Sequence, residues 1–141
     1  MADTLTFELV SPERLLVSEQ AEMVVLPGVE GDFGVLPLHA PFTSMLRPGT
    51  ITTYEGTNVD KRIFVGGGFA EVNEKSCTVL AEDAVPLSEI DRGEAERALR
   101  DAREDLADAK DPSEAERAKL ERQITVAEAR LEALQATTAG H

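Results

Sequence analysis

The sequence has no tryptophan, one tyrosine, one cysteine and two histidines, and each scarcity removes a class of function. Carbohydrate-binding sandwiches usually present exposed Trp or Tyr platforms, which this composition does not supply. A single Cys77 cannot close an internal disulfide, as a reducing compartment allows, and it reads as a small buried apolar residue in a strand, without a redox role. With His39 as the one internal histidine, no multi-histidine metal site can be built within one molecule, and the carboxylates lack EF-hand spacing. No Gly-x-Ser-x-Gly elbow is present, no Gly-Lys-Ser or Gly-Lys-Thr follows the glycine triplet 66–68, and Gly28, Gly31 and Gly34 lack dinucleotide spacing. The residues therefore predict no catalytic centre, no metal site and no cofactor.

Long apolar runs are missing too. No window approaches the roughly 18 residues of a membrane span, and the first residues carry neither a signal peptide nor an Arg-rich leader, which argues against a nuclear-encoded organellar protein. The net charge is -13, so polyanions and bare anionic bilayers are repelled and membrane association is expected to go through another protein.

What is present is unevenly placed. All the aromatics, from Phe7 to Phe69, precede residue 70, while the segment beyond Pro86 is densely charged. Thr4 to Val10 alternates, with Leu5, Phe7 and Leu9 on one face, and eight more short runs follow: 14–18, 21–26, 33–36, 42–46, 50–54, 59–65, 69–72 and 77–80. Turn signals every eight to twelve residues, with no helical period between them, predict an antiparallel β sandwich or barrel. Arg47-Pro48-Gly49 suits a type II turn and Glu55-Gly56-Thr57-Asn58 a hairpin, while Gly66-Gly67-Gly68 reads as a turn or bulge.

Past Leu87 the period changes. Ala95, Leu99, Ala102, Leu106 and Ala109 form one helical stripe, and Leu120, Ile124, Ala127, Leu131 and Leu134 form a second. Between them, Asp111-Pro112-Ser113-Glu114 predicts an N-cap at Asp111 with Pro112 as the first helical residue and Glu114 as the reciprocal carboxylate. The expected organisation is a β-sandwich head over 1–86 and an antiparallel α-helical hairpin over 87–141, with helices about 88–110 and 112–136. Four of these ten seam residues are alanine, so the hairpin is marginal alone and exchangeable between docking sites.

Two stretches carry a family resemblance: Leu26 to Phe42, reading Leu-Pro-Gly-Val-Glu-Gly-Asp-Phe-Gly-Val-Leu-Pro-Leu-His-Ala-Pro-Phe, and Gly66-Gly67-Gly68-Phe69-Ala70-Glu71-Val72. Both resemble marker segments of the epsilon subunit of F-type ATP synthases, and the similarity extends over essentially the whole sequence. The resemblance implies a flattened sandwich of about ten strands, a non-catalytic place in the central stalk (the rotor) with gamma and the c-ring as partners, and attachment to the cytoplasmic face of the bacterial inner membrane. It extends to alpha and beta as partners of the hairpin. It also implies that Glu30, Asp32 and His39 face the c-ring, and that Gly66, Gly67, Gly68 and Phe69 serve head packing or the gamma side.

Some members of the family bind ATP through Ile-Asp-x-x-Arg-Ala. Here Ile90, Asp91 and Ala95 match, but Glu94 stands in place of the arginine and would repel a polyphosphate. The second helix is not net basic, which lowers the expected inhibition of ATP hydrolysis by the tail. The rival reading is a free-standing sandwich adaptor or ligand-binding module with a helical appendage.

Overall fold

The computed structural model describes residues 3–140, with side chains as far as residue 136. It divides into two compact units, Met1–Leu87 and Ser88–His141.

The first unit is built from β1 (Leu5–Val10), β2 (Leu15–Ala21), β3 (Met23–Gly28), β4 (Gly31–Val35), β5 (Phe42–Glu55), β6 (Asn58–Val72), β7 (Ser76–Ala81) and β8 (Val85–Pro86). Strand order is β2-β1-β7-β6-β5-β3-β4, with β8 on the flank of β6. Leu5, Phe7 and Leu9 of β1 share one buried cluster with Val24 and Leu26 of β3, Ile51 of β5 and Val79 of β7. Strands far apart in the order therefore face one another across a common core, which is the sandwich that alternating apolar residues demand. Cys77 lies wholly inside it, where loss of solvation pushes its thiol pKa up to about 12.

Fewer and longer strands are present than the turn signals suggest. Arg47-Pro48-Gly49 makes no turn, and Gly66-Gly67-Gly68 does not end a strand. The two segments lie opposite each other, Pro48 against Gly66 and Leu46 against Gly68, inside one continuous hairpin of β5 and β6. The predicted runs 42–46 and 50–54 fuse into β5, and 59–65 and 69–72 into β6. Proline and glycine mark bends in strands as well as turns, and the two uses share a sequence signature. The hairpin itself closes as expected at Glu55 and Asn58, with Gly56 at φ +65.

The sandwich is not wholly antiparallel. β1 pairs with β2 antiparallel and with β7 parallel, Phe7 opposite Cys77 and Leu9 opposite Val79. Lys61 of β6 reaches Glu19 of β2, Nζ to Oε2 at 2.7 Å, and that hydrogen bond raises the lysine pKa.

In the second unit α1 spans Arg92–Asp108 and α2 spans Glu114–Gly140, and the two pack on each other. Ala95, Ala102 and Ala127 are buried, and the leucines of both stripes are half-buried. Arg103 pairs with Glu128 across the hairpin at 2.8 Å. Helix α1 starts later than residue 88 because Leu87–Glu89 forms a 3-10 turn and Asp91 is the cap, its Oδ1 accepting from Glu94 N–H at 3.1 Å.

The cap of α2 also differs from expectation. Ser113 holds it: its Oγ accepts from Glu116 N–H at 3.1 Å and donates to Glu116 Oε1 at 3.2 Å. Asp111 sits at φ +54, a left-handed position that Asn and Asp tolerate and that reverses the backbone before the cap.

Candidate interaction site

The loop-rich end of the sandwich is shaped by glycine where nothing larger fits. β3 and β4 form a tight hairpin closed by Gly28 and Gly31, with Val29 and Glu30 at its tip. A Cβ on Gly28 would meet the Gly31 carbonyl oxygen at 2.8 Å and the Phe33 ring at 2.9 Å. The tip is consequently narrow, and Val29, Glu30 and Asp32 all project into solvent.

Arg47 fixes this tip. Its Nη2 donates to Asp32 Oδ1 at 2.6 Å while Nη1 donates to the Gly28 carbonyl. One guanidinium thus ties the first residue pair of the hairpin to the carboxylate beyond it, a forked geometry that lysine cannot reproduce. Arg47 gives no sequence signal beyond being a lone cation within an acidic, apolar stretch.

His39 joins the same end through rings. Phe33 meets Phe42 edge-on at 5.3 Å between centroids, and His39 tilts onto Phe42 at 5.0 Å. Its Nδ1 lies 2.8 Å from the Ala40 carbonyl, so a hydrogen bond there uses the Nδ1–H tautomer. The imidazole is held against a ring and a carbonyl, the surroundings of a packing residue. Ahead of it the backbone turns through Leu38 at φ +69, whose N–H donates to the Glu74 carbonyl at 2.8 Å, leaving Leu36 and Leu38 largely exposed. Neither leucine is signalled by the sequence, because isolated surface leucines carry no motif.

Asp32 and Glu30 therefore share one hairpin, and His39 is linked to it by the Phe33–Phe42 pair. Among the described residues no three His, Cys, Asp or Glu side chains converge as metal ligands, and no helix is long and apolar enough to cross a membrane.

The glycine triplet serves close approach. Gly66 N–H donates to the Glu82 carbonyl at 2.6 Å and Glu82 N–H to the Gly67 carbonyl at 3.1 Å. A Cβ on Gly68 would fall 2.3 Å from the Leu80 carbonyl oxygen. These glycines let β6 pass from β8 to β7 without opening a gap, and Phe69 emerges half-buried on the outer face. In the hairpin unit the Asp91 carboxylate is engaged in capping α1, Ala95 is buried, Ile90 is half-buried and Glu94 is exposed.

Residues 4–87 match the family model for the beta-sandwich domain of the ATP synthase Delta/Epsilon chain, and residues 91–141 match that for the C-terminal domain of the ATP synthase epsilon chain. The protein is 53% identical over 133 residues to an ATP synthase epsilon chain of Rhodospirillum rubrum, an alignment spanning 94% of this chain and 98% of that one. It is 51% identical over 129 residues to an ATP synthase epsilon chain of Paramagnetospirillum magneticum, with 92% and 96% spanned. Among solved structures it resembles a subunit in the Euglena gracilis mitochondrial ATP synthase OSCP/F1/c-ring assembly, with TM-score 0.75, 30% identity, and coverage of 98% of this chain and 82% of that one. A subunit of the Tetrahymena thermophila mitochondrial ATP synthase central stalk and c-ring shares the fold at TM-score 0.62 and 13% identity, with 94% and 97% covered. With both units matched over nearly their full lengths, the chain belongs to the ATP synthase epsilon chain family.

Proposed function

We propose that this chain is a non-catalytic subunit of the central stalk, joining gamma to the c-ring so that rotation driven by protons reaches the ATP-forming sites. The observation that carries the reading is the match of sandwich and hairpin together, at 53% identity, to a curated epsilon chain. The Euglena assembly it resembles contains F1 and a c-ring, which supports a position beside both.

In this reading the narrow tip with Glu30 and Asp32, and His39 behind it, face the polar loops of the c-ring. The Arg47 fork keeps the Asp32 carboxylate in place, so binding there does not first have to order a loop. Gly66, Gly67, Gly68 and Phe69 belong to head packing and the gamma-facing side. The thin alanine seam of the hairpin lets it take a weak regulatory part in ATP hydrolysis, with alpha and beta as its partners. Occupied carboxylate Asp91 and repelling Glu94 argue against ATP binding. The complex holds the protein at the cytoplasmic face of the bacterial inner membrane.

Co-purification tests the assignment. The tagged protein in its own cell membrane should bring gamma and the c-ring with it in fixed stoichiometry. Recovery of the protein free of both would discard the stalk reading in favour of a stand-alone adaptor.

A further inference from the structure

Two strands stand at the ends of the strand order, β2 and β4, and an end strand offers its unused ladder groups to any strand that comes alongside. β4 is a poor template, because Gly31, Asp32 and Gly34 fill most of its five positions with weak strand formers. β2 is a better one. Its register with β1 slips between Leu9 and Val10, so Leu16 is skipped, but Val17 to Ala21 pair without a break. That segment contains no proline, glycine or lysine, and it is long enough to act as an ordinary strand.

One residue in it breaks the apolar pattern. Leu5, Phe7 and Leu9 are buried, and Ala21, Glu19 and Val17 stand opposite them, so Glu19 points into the inner row. Lys61 stands opposite the wholly buried Thr53 and points inward from the facing layer, where its Nζ meets Glu19 Oε2 at 2.7 Å. On the outer face Gln20 accepts from Thr4 Oγ1 at 2.9 Å and donates to Thr6 Oγ1 at 2.8 Å. Consecutive residues of β2 are thereby tied on both faces. The second Glu19 oxygen, Oε1, is buried with no hydrogen-bond partner among the described residues, while the side chain as a whole keeps 23% exposure. A charge pair so placed adds little to stability, since an apolar pair of similar volume would leave no polar atom unsatisfied. What the carboxylate controls is which strands can lie alongside β2.

We propose that Glu19, held inward by Lys61, is a guard that stops a second copy of this chain from adding its own β2 antiparallel at this edge. Two-fold pairing of residues 17–21 sets Val17 against Ala21, Ser18 against Gln20, and Glu19 directly against its own counterpart. Apolar meets apolar and polar meets polar everywhere but at the centre. Neighbouring strands lie about 5 Å apart, so the two carboxylates would repel at close range and lose their remaining contact with solvent, and Lys61 keeps either from turning away. A second copy is the occupant because the segment becomes its own complement once the centre is neutral. The inference concerns the free chain and does not depend on the stalk reading.

Sedimentation of the purified full-length protein tests it, at about 0.15 M salt so that the general repulsion between copies is screened beyond about 8 Å. Wild type should be a monomer at the highest concentration reached. Glu19→Val should dimerise with a dissociation constant at least about thirtyfold below that concentration. Adding Ser18→Lys to it should weaken the dimer at least about tenfold, because Ser18 is exposed and lysine on an edge strand opposes pairing. Glu19→Gln, close to the native shape, should dimerise in the same direction and serves if Glu19→Val melts early. A wild-type dimer, or Glu19→Val and Glu19→Gln both monomeric, would overturn the guard. So would a Glu19→Val dimer that Ser18→Lys leaves within about threefold, because association would then run through another surface.

Discussion

Arg47 and Asp32 are fifteen positions apart in sequence and 2.6 Å apart in space, and the same guanidinium also holds the Gly28 carbonyl. Both side chains are substantially exposed, 42% and 62%, so the pair itself contributes at most about 1 kcal/mol to stability. Its main effect is on order at the hairpin tip. Arg47→Ala and Asp32→Asn should therefore each shift the midpoint of thermal unfolding by only a few degrees while lowering affinity for ATP synthase stripped of this subunit. Arg47→Lys should behave like Arg47→Ala. A lysine variant that restores wild-type affinity would show that charge, and not the fork, is what matters.

Gly68 and Gly56 make a matched pair. At Gly68 an added Cβ collides with backbone of β7 at 2.3 Å and the φ is +155, so Gly68→Ala adds a steric cost to a conformational one and should cost about 3 kcal/mol or more. At Gly56 the φ of +65 is the sole obstacle, with open space around the new atom, and Gly56→Ala should cost about 1–2 kcal/mol. In urea denaturation the excess loss at Gly68 over Gly56 reads the added steric cost.

Cys77 should be inert while the protein is folded. Its raised pKa keeps it a neutral thiol at neutral pH, and it is fully buried, so a thiol reagent at pH 8 should label it only at the rate of unfolding. The sign for stability follows. The unfolded thiol ionises near 9 and the folded one near 12, so the native state binds more protons between those values. This contribution is intact below about pH 9 and is lost as pH rises toward 12. Cys77→Ser should reduce the alkaline dependence and leave the part due to Lys61, whose pKa is also raised, read from unfolding midpoints at about pH 8 and 10.5.

Removing residues 88–141 should leave a head that unfolds cooperatively, since the units divide at Leu87 and the buried cluster of the sandwich draws no residue from the helices. Within the hairpin, Ser113→Ala should lower stability by about 1 kcal/mol through loss of the cap. Asp111→Gly should raise it by a few tenths, because glycine holds the left-handed position without strain. Far-ultraviolet circular dichroism of the full-length protein measures both.

ATP should bind more weakly than roughly 1 mM, which is about -4 kcal/mol. The Asp91 carboxylate is already used by Glu94 N–H, and the Glu94 side chain adds negative charge beside it. Titration calorimetry giving micromolar affinity for the intact protein would contradict this.

Much of this architecture is written in residue order, and the exceptions share a cause. Leu5, Phe7 and Leu9 announce β1 because a half-buried strand needs alternation, and the Ala and Leu stripes announce both helices because a 3.6-residue turn needs that spacing. Arg47-Pro48-Gly49 misleads, since a proline and a glycine that bend a long strand look the same as those that end it. Asp111 and Ser113 both qualify as caps by type, and only backbone geometry chooses Ser113. The parallel pairing of β1 with β7 joins residues about seventy positions apart, beyond the reach of any local signal. The hairpin tip is visible through Gly28, Gly31 and Asp32, whereas Arg47, its anchor, becomes legible only when strand register brings β5 beside β3.

Because β1 lies between β2 and β7, the first strand to leave the ribosome has one ladder edge without its mate until residues 76–81 follow. The head is thus committed to late closure. The β1 strand waits through most of the head's synthesis, and final zippering of the sheet is on the slow side for a domain of this size.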